Sequence, residues 1–250
     1  MERIQCGLMG EKLGHSRSPE IHAQLGDYEY RLYEIQKDEI EEFIQKGSWR
    51  GMNVTIPYKK AVVPFLNQLS PVAERIGSVN TIIRRQDGTL FGDNTDVYGF
   101  EALVRFSGFR MTERKTLILG SGGASASVRE ALIRIGSVPT VISRSGENNY
   151  DNLEKHQDAA FVVNTTPVGM FPDTDASPLD LKRLPDCQGL LDIIYNPLRT
   201  KLMAQAEELG MPAYNGLYML VAQAWRAAEL FTGTDIPESC ADAIYRRMAK

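Results

Sequence analysis

The spacing of apolar and polar side chains divides the first part of the chain into alternating strands and helices. Runs with a period of two predict strands, and stretches with a period near 3.6 predict helices. The predicted strands cover residues 6–9, 28–35 and 51–56, and the predicted helices cover residues 18–25, 37–46 and 58–66. Ser18 and Pro19 fit the cap and the first turn of the first helix. Such alternation predicts a mainly parallel sheet covered by helices.

A hairpin and a second series of strands and helices follow. Asp87-Gly88 separates apolar residues 79–85 from residues 89–91, a strong hairpin signal that predicts an antiparallel addition at the edge of the first sheet. Residues 115–120 form a continuous apolar strand, as expected when both faces of a parallel sheet are covered. Further strands are predicted at 138–143, 160–164 and 189–194, and helices at 97–106, from the glycine-rich turn to about 135, and at 198–209, 217–231 and 238–249.

The pattern therefore predicts an α/β protein of two domains. The N-terminal domain is mainly parallel α/β, and the C-terminal domain is Rossmann-like. We assign residues 1–96 with 217–250 to the first domain and residues 97–216 to the second. The return of the last helices to the first domain is implied more by the family resemblance given below than by the pattern.

Composition and charge exclude several classes of function. Apolar residues make up 43% of the 250 residues and charged residues 24%, which is ordinary for a globular protein. The net charge of −4 is spread along the chain without a basic stripe, so we expect no nucleic-acid partner. The N-terminal apolar run is too short for a signal peptide and no later stretch would span a bilayer, so we expect a cytoplasmic protein with no membrane partner.

Cysteine and histidine usage argues against a metal site. Cys6, Cys187 and Cys240 are far apart and odd in number, which suits reduced thiols better than disulfides or zinc. His15 and His22 lack a third ligand at a suitable spacing, so a structural role is the better interpretation of both. We predict no metal.

One candidate site lies where the third strand, residues 51–56, runs into the next helix. Apolar and polar residues alternate there up to Ile56, which predicts a strand with one apolar face. The side chains of Asn53, Thr55 and Lys59 would gather at this corner and offer donors, acceptors and a mobile ammonium to a polar ligand. Taken alone, the segment also fits an ordinary edge strand with a solvated lysine.

A second candidate site is the glycine-rich turn at residues 120–124. Gly120 permits a tight turn after a strand, and Gly122 lets the backbone approach a pyrophosphate at a helix N-terminus. Ser121, Gly123 and Ala124 complete the turn. The alternative is a glycine-rich turn without a ligand.

The end of the next strand indicates which dinucleotide binds. An acidic residue there would bind a ribose 2′-hydroxyl and favour NAD, whereas a basic residue would receive a 2′-phosphate. The chain has Arg144 flanked by Ser143 and Ser145, and no acid occurs before Glu147. We therefore expect NADP, with an ordinary surface arginine as the alternative.

With these segments placed, the chain resembles the shikimate dehydrogenase family from end to end. The matching segments, in family order, are Gly14–His22, Asn53–Lys59, Gly77–Thr81, Gly92–Asp96, Gly120–Ala124, Asn164–Pro167, Asp192–Pro197 and Gly216–Gln223. The resemblance implies reversible, NADP-dependent reduction of 3-dehydroshikimate to shikimate in aromatic amino-acid biosynthesis. It also implies a substrate domain, an NADP-binding domain and an active site in the cleft between them.

The resemblance also implies the roles of individual residues. Lys59 and Asp96 would be catalytic, with Lys59 either a general base or an electrostatic stabiliser of the developing alkoxide. Ser16 and Ser18 would bind the substrate carboxylate. The remaining substrate residues would be Thr55, Asn80, Tyr195 and Gln223, and Ile193 and Gly216 would meet the nicotinamide half through backbone.

Without the resemblance, several of these residues have plainer interpretations. Ser18 and Asp96 fit helix caps, Asn80 a strand end and Gln223 a helix surface. Two other functions also remain open: a quinate/shikimate dehydrogenase that uses NAD, and a catalytically silent shikimate-binding regulator. The lack of a second basic residue after Arg144 weakens the expected phosphate clamp and leaves some room for NAD, whereas the presence of both Ser16 and Ser18 argues against a quinate-using relative. The sequence leaves a monomer and a homodimer equally open.

Overall fold

The computed structural model describes residues 4–14 and 16–250. The chain forms two compact units: the described residues up to Gly99 with Val221–Arg247, and Phe100–Leu220 with Met248–Lys250. Each unit has its own sheet, which confirms the predicted two-domain α/β class. The three cysteines are free thiols, as predicted.

Eleven strands and eight α-helices form in the described part of the chain. The strands are β1 (Gln5–Gly10), β2 (Glu29–Glu34), β3 (Gly51–Val54), β4 (Gln68–Leu69), β5 (Thr81–Arg84), β6 (Leu90–Asp93), β7 (Lys115–Leu119), β8 (Val138–Ile142), β9 (Phe161–Asn164), β10 (Gly189–Asp192) and β11 (Ala213–Asn215). The helices are α1 (Ser18–His22), α2 (Ile40–Lys46), α3 (Pro71–Ile76), α4 (Thr95–Ser107), α5 (Gly123–Arg134), α6 (Lys201–Glu208), α7 (Leu217–Thr232) and α8 (Glu238–Met248). Short 3-10 helices form at Lys37–Glu39, Val63–Phe65, Tyr150–His156 and Leu181–Arg183.

The first unit is built on a mixed six-stranded sheet of order β2-β1-β3-β5-β6-β4. β1 pairs parallel with β2 and β3, whereas β5 pairs antiparallel with β3 and β6. Met9, Met52 and Ile82 from three neighbouring strands are fully buried and join one apolar core with Ile44 of α2. The central strands β1, β3 and β5 are therefore largely buried on both faces, so a polar ligand would meet them at their ends.

The second unit is a parallel five-stranded sheet of order β11-β10-β9-β7-β8. Its core joins Leu117 and Val162 of the sheet with Leu202 of α6, all at most 1% exposed. The chain order reverses between β7 and β9. In open α/β sheets, ligands bind outside the carboxyl ends of the strands at such a switch point.

Three predictions about the first sheet are wrong. The helix expected at 58–66 is replaced by turns and the Val63–Phe65 3-10 helix, because Pro64 cannot donate back to Lys60 and would clash with its carbonyl. The strand expected at 51–56 ends at Val54, all four residues of β3 including polar Asn53 are buried, and Ile56, expected on its apolar face, is 77% exposed beyond its end. The predicted hairpin exists, but it lies inside the sheet because the short strand β4 takes the edge.

Candidate active site

Four chain segments meet on one side of the first sheet, where several of its strands end or begin; we call this side the edge of the sheet. β3 ends at Val54, and β5 begins at Thr81, which pairs with Asn53 on one side and with Asp93, the last residue of β6, on the other. The segment after β3, the segment before β5 and the start of α4 therefore reach the same edge. This edge also receives the carboxyl end of β1, which pairs in parallel with β3.

An ion pair between Lys59 and Asp96 lies at this edge. The Lys59 Nζ atom is 2.6 Å from Asp96 Oδ2, and the two side chains are 21% and 13% exposed. The backbone carbonyl of Lys59 accepts a hydrogen bond from Val79 N at 2.8 Å, which fixes the turn that carries it. Asp96 is the second residue of α4 rather than its cap, so the capping interpretation is wrong. The ammonium is thus held in place and remains partly accessible.

A buried network of amides and hydroxyls supports the ion pair. Asn80 Oδ1 accepts hydrogen bonds from Thr95 N at 2.7 Å and from the Thr95 and Thr81 hydroxyls at 3.1 and 3.0 Å. All three residues are at most 3% exposed. Because its acceptor oxygen is engaged, Asn80 would contact a ligand through its amide nitrogen. The network also fixes Thr95, the residue before Asp96.

Sequence reasoning missed Tyr30 as a member of this network. The Tyr30 hydroxyl donates to Asn53 Oδ1 at 2.8 Å, and Asn53 Nδ2 donates to the Thr81 hydroxyl at 3.1 Å. The Tyr30 ring stacks on His22 at 3.9 Å between centroids. Burial lowers the pKa of His22 to about 3, so the ring is neutral near pH 7. His22 therefore has the structural role that the sequence predicts, whereas His15 lies outside the described residues. The signal available for Tyr30 was only a tyrosine within an alternating strand.

The two serines expected to bind the substrate carboxylate, Ser16 and Ser18, lie together after β1. Ser16 Oγ accepts a hydrogen bond from Ser18 N at 3.2 Å, and Ser18 is 9% exposed. Ser18 is the first residue of α1 rather than its cap, since the cap position falls on Arg17, so that interpretation is also wrong. Thr55 is half-buried and its N–H donates to Met9 O. Gln223 lies half-buried in α7, in the portion of that helix grouped with the first unit.

The glycine-rich turn in the second unit fits a pyrophosphate. Gly120 has φ of +102°, a region that favours glycine, and an added Cβ would lie 3.0 Å from Thr166 Cγ2. A Cβ at Gly122 or Gly123, at the start of α5, would meet no atom within 4 Å. This open, glycine-lined helix N-terminus, with Ser121 exposed beside it and Ala124 half-buried in the first turn, has the form expected of a dinucleotide phosphate site.

The loop after β8 presents a guanidinium to solvent. Arg144 and Ser145 are exposed, and Ser143 N donates to Asn148 O at 3.1 Å. The Asn148 side chain is in turn hydrogen-bonded to His156 Nε2 at 3.1 Å. The loop is therefore tied into a compact turn whose exposed arginine has the charge and the planar donors that suit a phosphate.

Of the two residues predicted to meet the nicotinamide half, Ile193 directly follows β10 and Gly216 directly follows β11. Ile193 N donates to Asn164 O at 3.1 Å, and Gly216 N donates to Ile194 O at 2.9 Å. A Cβ at Gly216 would collide with the Ile193 carbonyl, so this close approach requires glycine. Tyr195 is half-buried in the same unit, so the structure does not place it in the unit that carries Lys59.

Two properties of the described residues bear on other functions. Residues 4–14 and 16–250 contain no group of three or more His, Cys, Asp or Glu side chains that could hold a metal ion. Within the same residues, no helix has the length and apolar character needed to cross a membrane.

Comparison with known proteins gives a consistent result. Residues 8–82 match the family model of the shikimate dehydrogenase substrate binding domain, and residues 216–244 match that of the shikimate 5′-dehydrogenase C-terminal domain. The NADP(+) shikimate dehydrogenase of Clostridium perfringens strain SM101 is 36% identical over 97% of each chain. The Thermus thermophilus shikimate 5-dehydrogenase in complex with NADP(H) and shikimate is 32% identical and superimposes with a TM-score of 0.85, covering 98% of this chain and 99% of that one.

The fold is also shared with an enzyme named for another substrate. The quinate dehydrogenase of Corynebacterium glutamicum in complex with NAD is 28% identical, with a TM-score of 0.86 over 98% of this chain and 99% of that one. Overall structure therefore does not distinguish shikimate dehydrogenases from quinate dehydrogenases. The 36% sequence identity to the Clostridium enzyme, over 97% of each chain, does establish the family. The chain belongs to the shikimate dehydrogenase family.

Proposed function

We propose that the protein is an NADP-dependent shikimate dehydrogenase that reversibly reduces 3-dehydroshikimate to shikimate in aromatic amino-acid biosynthesis. The observation that carries this proposal is the 2.6 Å Lys59–Asp96 pair, held at the edge of a unit whose N-terminal part matches a substrate-binding domain. The name of the Clostridium relative supplies the substrate and the cofactor.

The two units take different ligands in this proposal. Residues 1–96 with 217–250 form the substrate domain and residues 97–216 the NADP-binding domain. The grouping of Val221–Arg247 with the N-terminal residues supports this division. We place the enzyme in the cytoplasm, as a monomer or a homodimer.

Polar side chains orient the substrate. The hydroxyls of Ser16 and Ser18 bind its carboxylate, and the Ser16–Ser18 hydrogen bond keeps both at one turn. Asn80, through its amide, and Asp96 hold ring hydroxyls. Thr55, Tyr195 and Gln223 complete the set of substrate contacts.

Lys59 transfers the proton in both directions of the proposed reaction. In the direction of reduction, its Nζ donates a proton to the carbonyl oxygen of C3, where negative charge develops. In oxidation, the same atom accepts the proton of the C3 hydroxyl. Even without full transfer, a fixed ammonium stabilises the developing alkoxide. Asp96 keeps the ammonium oriented through the 2.6 Å contact.

Backbone and one arginine hold the cofactor. Gly120, Ser121, Gly122, Gly123 and Ala124, at and before the start of α5, would hold the pyrophosphate. Arg144, with Ser143 and Ser145, would bind the 2′-phosphate, and Ile193 and Gly216 would contact the nicotinamide half through backbone. When bound, NADPH supplies the hydride that reduces the C3 carbonyl.

Steady-state kinetics with four pairs, shikimate or quinate each with NADP or NAD, test the proposal. We expect the highest kcat/KM for shikimate with NADP. A preference for quinate with NAD would instead support the alternative that the quinate dehydrogenase fold allows. Binding of shikimate without turnover by any pair would support a silent regulator, which the intact Lys59–Asp96 pair argues against.

A further inference from the structure

A carboxylate that no part of the proposed mechanism uses lies at the end of β10. Asp192 is 0% exposed, yet its oxygens accept three hydrogen bonds. Oδ1 accepts from Asn164 Nδ2 at 3.0 Å and from Ile194 N at 3.1 Å, and Oδ2 accepts from the Thr200 hydroxyl at 2.7 Å. All these donors are neutral, so the charge is surrounded by dipoles rather than paired with a cation.

The neighbouring strand end continues the network. Asn164, the last residue of β9, is also 0% exposed. Its Oδ1 accepts from Thr166 N at 3.0 Å and from the Thr166 hydroxyl at 2.7 Å, while its backbone carbonyl accepts from Ile193 N. Thr166 in turn borders Gly120, where an added Cβ would lie 3.0 Å from its methyl group. Asn164 thus links the glycine-rich turn to β10.

The other end of the network is the start of α6. Thr200 caps this helix, since its hydroxyl accepts from Met203 N at 3.2 Å while donating to Asp192. Ile194, whose N–H is held by Asp192, accepts through its carbonyl from Gly216 N. One buried carboxylate therefore fixes the segment after β10, the segment before α7 and the start of α6.

This network lies at the functional edge of the second sheet. The segments that it ties together follow the carboxyl ends of β9 and β10, next to the switch point between β7 and β9. Ligands of open α/β sheets bind at this edge, so a bound dinucleotide would contact the backbone of these segments. Burial without a cation raises the pKa of Asp192 to about 6, so an ionised group here costs folding free energy that an apolar residue would not. Such a cost is commonly tolerated at sites that serve function.

We infer that Asp192, together with Asn164 and Thr200, positions the backbone on which the cofactor binds, without touching the cofactor itself. The inference rests on the proposed function, because it concerns the binding of NADP. Asp192 is a positioning residue, and its loss should affect NADP much more than shikimate.

Direct binding of NADP, measured by isothermal titration calorimetry on the full chain, tests this role. Asp192→Ala removes three acceptor interactions and should raise the Kd for NADP about tenfold, while the KM for shikimate changes less than about twofold. Asp192→Asn keeps an acceptor for Ile194 N and Asn164 Nδ2, so it should restore most of the affinity. Asp180→Asn is the matched control, because Asp180 caps the Leu181–Arg183 turn in the same unit and should leave the Kd unchanged.

A second pair of variants covers the case in which Asp192→Ala does not fold. Thr200→Val removes the donor to Oδ2 and should raise the NADP Kd about threefold, whereas Thr200→Ser keeps the hydroxyl and should not. If folded variants lose thermal stability but bind NADP as wild type does, Asp192 is only structural and the inference is wrong. Failure of the wild-type protein to bind NADP would overturn the proposed function as well.

Discussion

Asp96 and Asp192 are carboxylates near the strand ends of two different sheets, and their surroundings differ in opposite ways. Asp96 is 13% exposed and 2.6 Å from a lysine ammonium. Asp192 is fully buried, and its three donors among the described residues, Asn164, Ile194 and Thr200, are neutral. Under the proposed function, the accessible ion pair would supply charge that a substrate can reach. Under the further inference, the enclosed carboxylate would fix backbone for cofactor binding.

The largest expected effect is the loss of catalytic rate on removal of Lys59 from its ion pair with Asp96. Lys59→Ala should lower kcat about 1,000-fold with a modest change in the KM for shikimate, because the ammonium acts mainly in the transition state. Steady-state kinetics on protein with a wild-type melting curve measure this. Lys60→Ala is the matched control, since Lys60 is exposed and adjacent and should behave as wild type. A parallel loss of folding in Lys59→Ala would show that this lysine is structural.

The enclosed carboxylate predicts a pH effect on stability. The pKa of Asp192 is raised from 3.8 to about 6 in the fold, so its contribution to stability is greatest below pH 4 and is lost as the pH rises through 6. The loss corresponds to about 3 kcal/mol. Asp192→Asn, which cannot ionise, should therefore gain about that much relative to wild type between pH 4 and pH 7.

Urea unfolding of both proteins across this pH range measures the difference. The pH dependence of wild-type stability alone would not isolate Asp192, because His22 changes the stability with pH in the opposite direction. Subtracting the curve of Asp192→Asn removes the contribution of His22. The pKa of His22 is lowered from 6.5 to about 3 by burial, so its contribution is present above pH 6.5 and is lost as the pH falls. A pH-independent difference between the two proteins would contradict the assignment to Asp192.

The glycine-rich turn allows a test that separates geometry from ligand access. Gly120→Ala should destabilise the protein by about 2 kcal/mol, because φ of +102° is strained for alanine and its Cβ would press on Thr166. Gly122→Ala should leave stability nearly unchanged, because its Cβ would meet no atom within 4 Å. The same Cβ would occupy the open space proposed for the pyrophosphate, so NADP binding should weaken. Melting curves and NADP titration of both variants distinguish the two effects. Equal melting curves would show that Gly120 is not constrained.

The smallest effect is expected at the exposed arginine. Arg144→Ala should raise the KM for NADP about tenfold and leave the KM for NAD nearly unchanged, because one charge-assisted phosphate contact is lost. Arg199→Ala serves as the control, since Arg199 is exposed in the same unit but pairs with Glu207 at 2.7 Å. Equal changes for both cofactors would mean that Arg144 does not read the 2′-phosphate.

Much of the fold follows from local pattern. The apolar run Lys115–Leu119 predicts β7, and the alternation of apolar and polar residues in the N-terminal part of the chain predicts the first strands. Gly120, Gly122 and Gly123 predict the turn that leads into α5. Local pattern was wrong at 58–66, where Pro64 overrides a helical periodicity, and it gave no sign of the two-residue strand β4. Short strands and turns depend on pairing partners that are distant in sequence, so no local signal marks them.

The sequence by itself determined the two α/β sheets, the glycine-rich turn and the family, because these depend on periodicity and on short motifs. Only the tertiary structure decided which polar groups meet. It brought Lys59 to Asp96 across 37 residues, engaged the oxygen of Asn80 with Thr95, and enclosed Asp192 among Asn164, Ile194 and Thr200. Apart from the local Asp192–Ile194 bond, these contacts join groups that lie at or just beyond the ends of different strands or at the starts of helices. They exist because the order of strands in each sheet brings those groups to a common edge, which no local stretch of sequence encodes.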